Sequence, residues 1–527
     1  MEACVAELAP SPETGIETKP TNEASVQRWL VYGLAAVVGV GVLWRVVRYL
    51  GGFPIWGDEA MLLISILERD YAGLTQQLRF GQVAPLFFLW LERSALLLLG
   101  PSEWSMHLFP FLAGLLTLAF FWRMCRASFS PRIAGMAVAI LAISYYPVRH
   151  SAEVKPYAFD LLFSVIFACL TLEHLRNPAT TRWLIALSAV TPIAMFSSYP
   201  SAFVGGAVSI VLLMCLRSAS WTQRGWYALF NVLLCGSFLI HYVLIGQGAS
   251  DPEELRRARE FMLTYWKDAF PPENPLLWPV WLVKVLTGNM LAYPMGANNG
   301  GSAATFLLVA LGAFACWRTG QRALLALCGL PFALNLLAAM LGKYPFGGSA
   351  RIMLHLAPFI AILMAHGIAQ ALDWIRSPRW RTRWELGIYL AFFGFGAVGI
   401  ARDVVKPYKT EHDREMRRLV LDMHRQIAPG EPVFLCHVRD EDLLPEFLWY
   451  ARTKFGTVDW LSTSAIPFST KSCWLVLCSH QEASAGHVAA HADSRSWRIT
   501  ATDTRAVPGE NAKMPTMFCR WVRLERE

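Results

Sequence analysis

Stretches of roughly 17–25 apolar residues recur across the first 400 positions of this 527-residue chain, and nothing else constrains its fold as tightly. As a helix, each is long enough to cross a hydrocarbon core of about 30 Å, where backbone polar groups must pair within the segment. The spans are 29–50, 104–123, 132–148, 156–175, 182–199, 201–217, 226–246, 303–318, 322–341, 351–374 and 384–401. They predict an α-helical polytopic membrane protein with about eleven transmembrane helices. Charged residues make up only 16% of the chain, against about 25% in an average soluble domain. Residues 1–28 form a polar leader with no small-x-small cleavage site after the first span, so that span reads as a retained anchor.

Basic residues orient the bundle. Arg123, Arg126 and Arg132 occupy one short turn, and Arg176 and Arg182 the next but one. Arg217 with Arg224, Arg318 with Arg322, and Arg376, Arg379, Arg381 and Arg383 continue the alternation. Short turns rich in arginine and poor in acid mark the cytoplasmic face. These arginines account for the net charge of +8 and remove any need for a nucleic-acid partner. The leader is then cytoplasmic, and the turns 51–103, 148–156, 247–302 and 342–350 lie outside. An odd number of spans places residues 402–527 outside as well, on a multi-pass protein of the plasma (inner) membrane.

Polar composition returns in 402–527, which predicts a small extracytoplasmic α/β domain beyond the membrane domain 29–401. Pro432–His437, Ser472–Ser479 and Met517–Leu524 read as strands, and Asp440–Lys454 as an amphipathic helix. Cys436, Cys473, Cys478 and Cys519 are able to pair in an oxidising compartment, with the connectivity open. No Gly-rich phosphate loop follows a strand, no Cys-x-x-Cys occurs, and no internal repeat stands out.

The outer turns concentrate the chemistry. Asp58 and Glu59 follow the first span, where partly desolvated carboxylates cost several kcal/mol unless something uses them. That position suits a base acting on a hydroxyl at the lipid surface, although a solvated helix start would also place acids there. Met61–Leu67 reads as a helix lying along the membrane surface, and Gln82–Trp90 as a half-buried helix opened by Pro85. In the second turn Arg149, His150 and Lys155 suit an anion, with Glu153 to balance one of them and Tyr157 alongside. The third carries an amphipathic helix, Glu253–Lys267, and an aromatic, proline-rich wall, Phe270–Tyr293. In the fourth, Lys343, Tyr344 and Arg351 flank glycines that let the backbone approach a ligand closely. Any one of these basic residues alone also fits an anchor at the bilayer edge, and His150 alone fits a surface histidine. His107 and His355, on mostly apolar helices, are expected to hydrogen-bond within the bundle. No ligand set for a metal is visible beyond Asp58, Glu59 and Glu153, so no metal or cofactor is assigned, while a divalent cation remains compatible with phosphate chemistry.

Taken in order, several motifs resemble the GT-C superfamily of integral-membrane glycosyltransferases. They are Trp56-Gly-Asp58-Glu59, Ala84-Pro85-Leu86-Phe87, Leu99-Gly-Pro-Ser-Glu103-Trp-Ser-Met-His107, Ser151-Ala-Glu153-Val-Lys155-Pro156-Tyr157-Ala158 and Tyr344-Pro-Phe-Gly-Gly-Ser-Ala-Arg351 ahead of Pro358. The likeness covers about 50–400 and is nearest the branch of protein O-mannosyltransferases and aminoarabinose transferases, which use polyprenyl-phosphate-linked sugars. The resemblance implies that Asp58 acts as base on an acceptor hydroxyl of a protein, lipid or glycan, and that basic residues hold the donor phosphate. It departs from the family at His107, often Arg, at Gln82, often charged or His, and at Lys155-Pro156-Tyr157, commonly Arg-Pro-Tyr. The rival reading is a transporter or flippase for a lipid-linked or anionic substrate, which would place its binding groups near the midplane and show repeated halves.

Overall fold

The computed structural model describes residues 20–216, 219–248, 252–296, 300–428, 430–437, 445–455, 458–460, 471–479, 497–509 and 516–526. The chain is mostly helical. Helix α1 (Pro20–Leu50) begins inside the expected leader and carries the first span. The first of the turns expected outside, named outer turns here after that expectation, holds α2 (Gly57–Glu68) and α3 (Leu86–Leu99), and α4 (Glu103–Ser128) follows behind a Ser102–Ser105 capping pair. Next come α5 (Pro131–Ile143), α6 (Tyr145–Arg149), α7 (Tyr157–Arg176), α8 (Arg182–Ser197), α9 (Ser201–Cys215) and α10 (Trp221–Gly248). The third outer turn contains α11 (Pro252–Tyr265) and α12 (Trp278–Val285). Helices α13 (Gly301–Arg318), α14 (Arg322–Met340), α15 (Ala357–Asp373) and α16 (Pro378–Val405) complete the bundle.

Every predicted span falls on a helix, but not all are of full length. Among the described residues eight helices are long and apolar enough to cross a membrane, and up to nine if one bent pair is a single span. That pair, Pro131–Ile143 and Tyr145–Ala152, replaces the predicted span 132–148 and bends by 54°. Pro147 explains the break, because its ring would collide with the carbonyl four residues earlier, at Ile143, where α5 stops. Arg182–Ser197 and Ser201–Met214 are shorter apolar helices than the predicted 182–199 and 201–217.

The arginine-bearing turns gather at one end. Arg132 bonds Asp373 at 3.1 Å and Glu385 at 3.0 Å, and Arg381 reaches the same Asp373. Arg123 bonds Glu173 across another pair of turns at 3.3 Å. At the other end α16 is fastened to α1 through Asp403, which accepts from the Trp44 indole at 2.6 Å and from Arg48 at 2.7 Å.

Beyond α16 come α17 (Glu411–Gln426) and α18 (Pro445–Phe455), packed on a five-stranded sheet. The strands are β1 (Val433–His437), β2 (Val458–Trp460), β3 (Ser472–Ser479), β4 (Trp497–Val507) and β5 (Met517–Arg526), in the order β2-β1-β3-β5-β4. β1 runs parallel to β2 and β3, while β5 is antiparallel to β3 and β4. The predicted β1, β3 and β5 are present, and of the predicted helix 440–454 the part 440–444 lies outside the described residues. α17, β2 and β4 are elements the sequence reading did not contain.

This unit is seated on the first outer turn. The Tyr450 hydroxyl accepts from the Ile55 N–H at 2.8 Å and donates to Glu103 at 3.2 Å. Arg417 bonds Glu103 at 2.9 Å and donates to the Gly52 carbonyl at 3.1 Å, and Arg452 pairs with Glu68. The seat corrects the expectation for Met61–Leu67. Leu62, Leu63, Ile64 and Ile66 are buried against protein, with α18 packed on α2, so this helix is a core element rather than one lying on the lipid surface.

Candidate active site

The site is built where α2 starts. Trp56 is extended, the Glu59 carboxylate accepts from the Trp56 N–H at 3.3 Å, and two acids in the first turn complement the helix dipole. Asp58 and Glu59 then diverge. Glu59 is 1% exposed and accepts from the Val154 N–H at 2.5 Å and from His107 Nε2 at 3.0 Å. It therefore ties the first outer turn to the second and to α4. Asp58 is about one-third exposed and takes a bond from Arg351 Nη1 at 2.8 Å. The two predicted catalytic carboxylates thus have different surroundings: Glu59 is a buried strut, and Asp58 is the accessible one.

The second turn folds around Glu153, which accepts from Arg149 Nε and from His150 Nδ1, both at 2.7 Å. Burial alone would raise the Glu153 carboxyl, but Arg149 and His150 outweigh it and hold it well below the usual carboxylate range. His150 is 1% exposed, stacked with Tyr146 and edge-on to Tyr157, which corrects the surface reading of this histidine. Lys155 is also buried and donates to Gln82 Oε1 at 2.8 Å. Burial lowers the Lys155 ammonium, with Asp58 pulling the other way.

The fourth turn delivers Arg351. Its guanidinium lies 5.9 Å from the Trp56 ring centroid and 5.6 Å from that of Trp266, a flat cation set near two indoles. Burial works against the Arg351 charge, but Tyr157, Asp58 and Glu153 more than restore it, leaving its pKa raised. Tyr344 donates to the Ile352 carbonyl at 3.0 Å and so closes its own turn. The glycines do not face a ligand as expected. Gly347 has φ +81, where a Cβ would lie 2.2 Å from Val285, and Gly348, at φ +75, would meet Ala269. They let the fourth turn approach the third. Lys343 is exposed, and no contact among the described residues links it to the cluster.

The structure therefore brings together Asp58, Glu59, Gln82, Arg149, His150, Glu153, Lys155, Tyr157 and Arg351, leaves Lys343 aside and gives Tyr344 a closing role. Missing from the sequence reading of the site were Trp56, Trp266, His107 as partner of Glu59, and Lys409 just before α17, whose ammonium lies over the Trp56 ring. Glu92 on α3 was missed too. It is fully buried with neither oxygen partnered among the described residues, and burial plus the nearby Glu59 push its carboxyl well above the usual range. His107 bonds within the bundle as expected, and His355 is buried there beside Phe203. Among the described residues no group of three or more His, Cys, Asp or Glu is placed to hold a metal ion, and the cationic character of the cleft comes from Arg and Lys.

The model of the dolichyl-phosphate-mannose-protein mannosyltransferase family matches residues 83–241, which include the Arg149–Tyr157 turn but neither Asp58 nor Arg351. The crystal structure of ArnT from Cupriavidus metallidurans bound to undecaprenyl phosphate superposes with a TM-score of 0.54 at 13% identity, covering 94% of this chain and 98% of that one. The chain has the ArnT fold. The apo form of the same ArnT gives a TM-score of 0.52 at 13% identity over the same shares of both chains. No curated protein matches the sequence significantly. The likeness in fold to ArnT extends through the C-terminal domain, since nearly the whole of both chains is covered.

Proposed function

We propose that the chain is a glycosyltransferase that moves a sugar from a polyprenyl-phosphate donor to an acceptor hydroxyl, at a site on the outer face of the membrane. One observation carries the reading. An accessible carboxylate, Asp58, sits at a helix start within hydrogen-bond reach of Arg351, with Lys155 adding a second nearby charge to the same field. A base beside cations is what transfer from a phosphate leaving group requires.

In this mechanism the donor phosphate engages Arg351 and Lys155, and its charge draws the guanidinium from Asp58. The acceptor hydroxyl then meets a freed carboxylate. Asp58 takes the hydroxyl proton as the oxygen attacks the anomeric carbon, and the bond from that carbon to the phosphate oxygen breaks. Polyprenyl phosphate departs with the bonding pair, its developing charge held by the same cations, and attack opposite the leaving group inverts the anomeric centre. Arg149, His150 and Glu153 keep the second turn in shape, Gln82 aims Lys155, and Tyr157 packs on His150. The sugar class, hexose or pentose, is set by contacts the donor makes in this cleft. Gathering the cations at one end of the bundle supports an enzyme over a transporter with a midplane site.

The test is direct transfer. Purified protein in lipid nanodiscs is given radiolabelled sugars linked to polyprenyl phosphate, with membrane extracts of the native cell as acceptor. Labelled acceptor with wild type, and loss of it with Asp58→Asn, is the expected result; no transfer from any such donor would refute the reading.

A further inference from the structure

We propose that Lys409, supplied by the connector to the C-terminal domain, is a third cation of the donor-phosphate site. The inference rests on the transferase reading above but assigns a residue from outside the membrane bundle. Lys409 is exposed, and its ammonium lies over the ring of Trp56, two residues before Asp58. Its charge acts on Glu153 and Asp58, so it shares the field of both outer turns that build the cleft. Arg149 and Glu153 bond each other and Arg351 bonds Asp58, whereas no carboxylate bond to Lys409 is seen among the described residues. Lys409 is thus an available cation over the site.

Its position is imposed from both sides. Six residues before the connector reaches it, α16 is pinned to α1 through Asp403. Immediately after it, Thr410 caps α17, its hydroxyl accepting from the Asp413 N–H while Asp413 accepts from the Thr410 N–H. α17 is in turn held to the first outer turn by Arg417 on Gly52 and Glu103. A long flexible side chain on so fixed a backbone swings from an indole face to an arriving phosphate without moving either domain. The exchange trades a cation–π contact for a charge-assisted hydrogen bond, which is the stronger interaction.

Undecaprenyl phosphate is the probe, and its binding to the purified full-length protein is the measurement. Lys409→Gln should weaken it about tenfold or more, Lys409→Arg should stay within about threefold, and Lys406→Gln on the same connector should change nothing. A protection assay on the wild-type protein needs no variant: bound probe should shield Lys409 from an amine-reactive reagent, read by mass spectrometry. Unchanged affinity in Lys409→Gln, or equal labelling with and without probe, overturns the assignment and leaves the transferase reading standing. A wild-type protein that does not bind the probe overturns both.

Discussion

Arg351 and Asp58, 293 residues apart in sequence, meet at 2.8 Å where the first and fourth outer turns converge. In the proposed mechanism the pair is a latch: the arginine occupies the base until a phosphate competes for it. A carboxylate free of any cation would be the stronger base, and one left bonded throughout would be poor. Coupling its release to donor binding commits the base only when a leaving group is present.

Replacing Asp58 by Asn should therefore lower turnover by about a hundredfold or more, the usual scale for a general base. Donor affinity should hold or improve slightly, because Arg351 loses its resting partner. Single-turnover transfer and undecaprenyl-phosphate binding, measured on the same preparation, separate the two effects. Near-normal turnover in the variant would remove Asp58 from the chemistry.

Cations in the cleft should differ from the one outside it. Arg351→Ala and Lys155→Ala should each weaken donor binding roughly tenfold to a hundredfold, from the loss of a charge-assisted hydrogen bond of about 1.5–3 kcal/mol. Arg351→Lys should recover only part, since an ammonium cannot grip two phosphate oxygens in a plane. Lys343→Ala, on an exposed residue apart from the cluster, should bind like the parent. Equal losses in all three alanine variants would point to general electrostatics rather than a site.

Glu153→Gln tests the frame. The carboxylate is almost fully buried between Arg149 and His150, and breaking such a pair leaves a charge without its partner. The expected loss lies toward the low end of about 3–5 kcal/mol, because the Arg149 side chain keeps some exposure. Since the folded Glu153 pKa lies below its unfolded value, its contribution is complete above that unfolded value and lost as pH falls through the folded one. Thermal unfolding of the variant should thus differ most from the parent near neutral pH and converge in acid. A constant offset at all pH would deny Glu153 that role.

Much of this could be read from sequence, for identifiable reasons. Apolar runs have one structural outcome in lipid, so the bundle was legible, and acids or bases at the mouths of those runs stand out against them. What failed was pairing across distance. Glu59 and His107 are 48 positions apart, and nothing local in either says that one takes the other's hydrogen bond. Lys409 lies in a polar connector where a lysine is unremarkable until Trp56 is seen beneath it. β4 was missed because nearly all its side chains are exposed, so no alternation marks Trp497–Val507. α17 had a readable stripe in Met416, Leu419, Val420 and Met423, hidden among the charges around it.

The compartment of the C-terminal domain should leave a covalent trace. Cys478 and Cys519 are register partners across β3 and β5, buried, with sulfurs 2.8 Å apart, whereas Cys473 belongs to the opposite face of the sheet. The Cys436 side chain lies outside the described residues. If the domain is outside the cytoplasm, an oxidising compartment should join Cys478 to Cys519. Peptide mapping of alkylated, unreduced protein should find that linkage. Both thiols fully alkylated in protein from native membranes would place the domain on the cytoplasmic side.

Donor affinity should also depend on pH in a direction set by the lysines. Lys409 is an exposed residue, but its ammonium over the Trp56 ring loses water, which chiefly lowers it to about 8, with Glu153, Asp413 and Asp58 pulling it up and Arg149 pushing it down. Lys155, which is buried outright, is lowered as well. An ordinary lysine at about 10.4 would stay charged across the physiological range, so only a depressed one gives a bend near neutrality. The phosphate of a sugar-linked donor is a diester and carries one charge throughout. Affinity should therefore be greatest below about pH 7 and fall as Lys409 loses its proton between about pH 7 and 9. The sign follows from charge alone, since the protonated form attracts the phosphate. Titrating the dissociation constant from pH 6.5 to 9 in wild type and Lys409→Gln decides the matter. The variant should bind more weakly at pH 6.5 and lose the bend near pH 8. A wild-type profile flat to pH 9 would mean that Lys409 carries no proton the donor can sense.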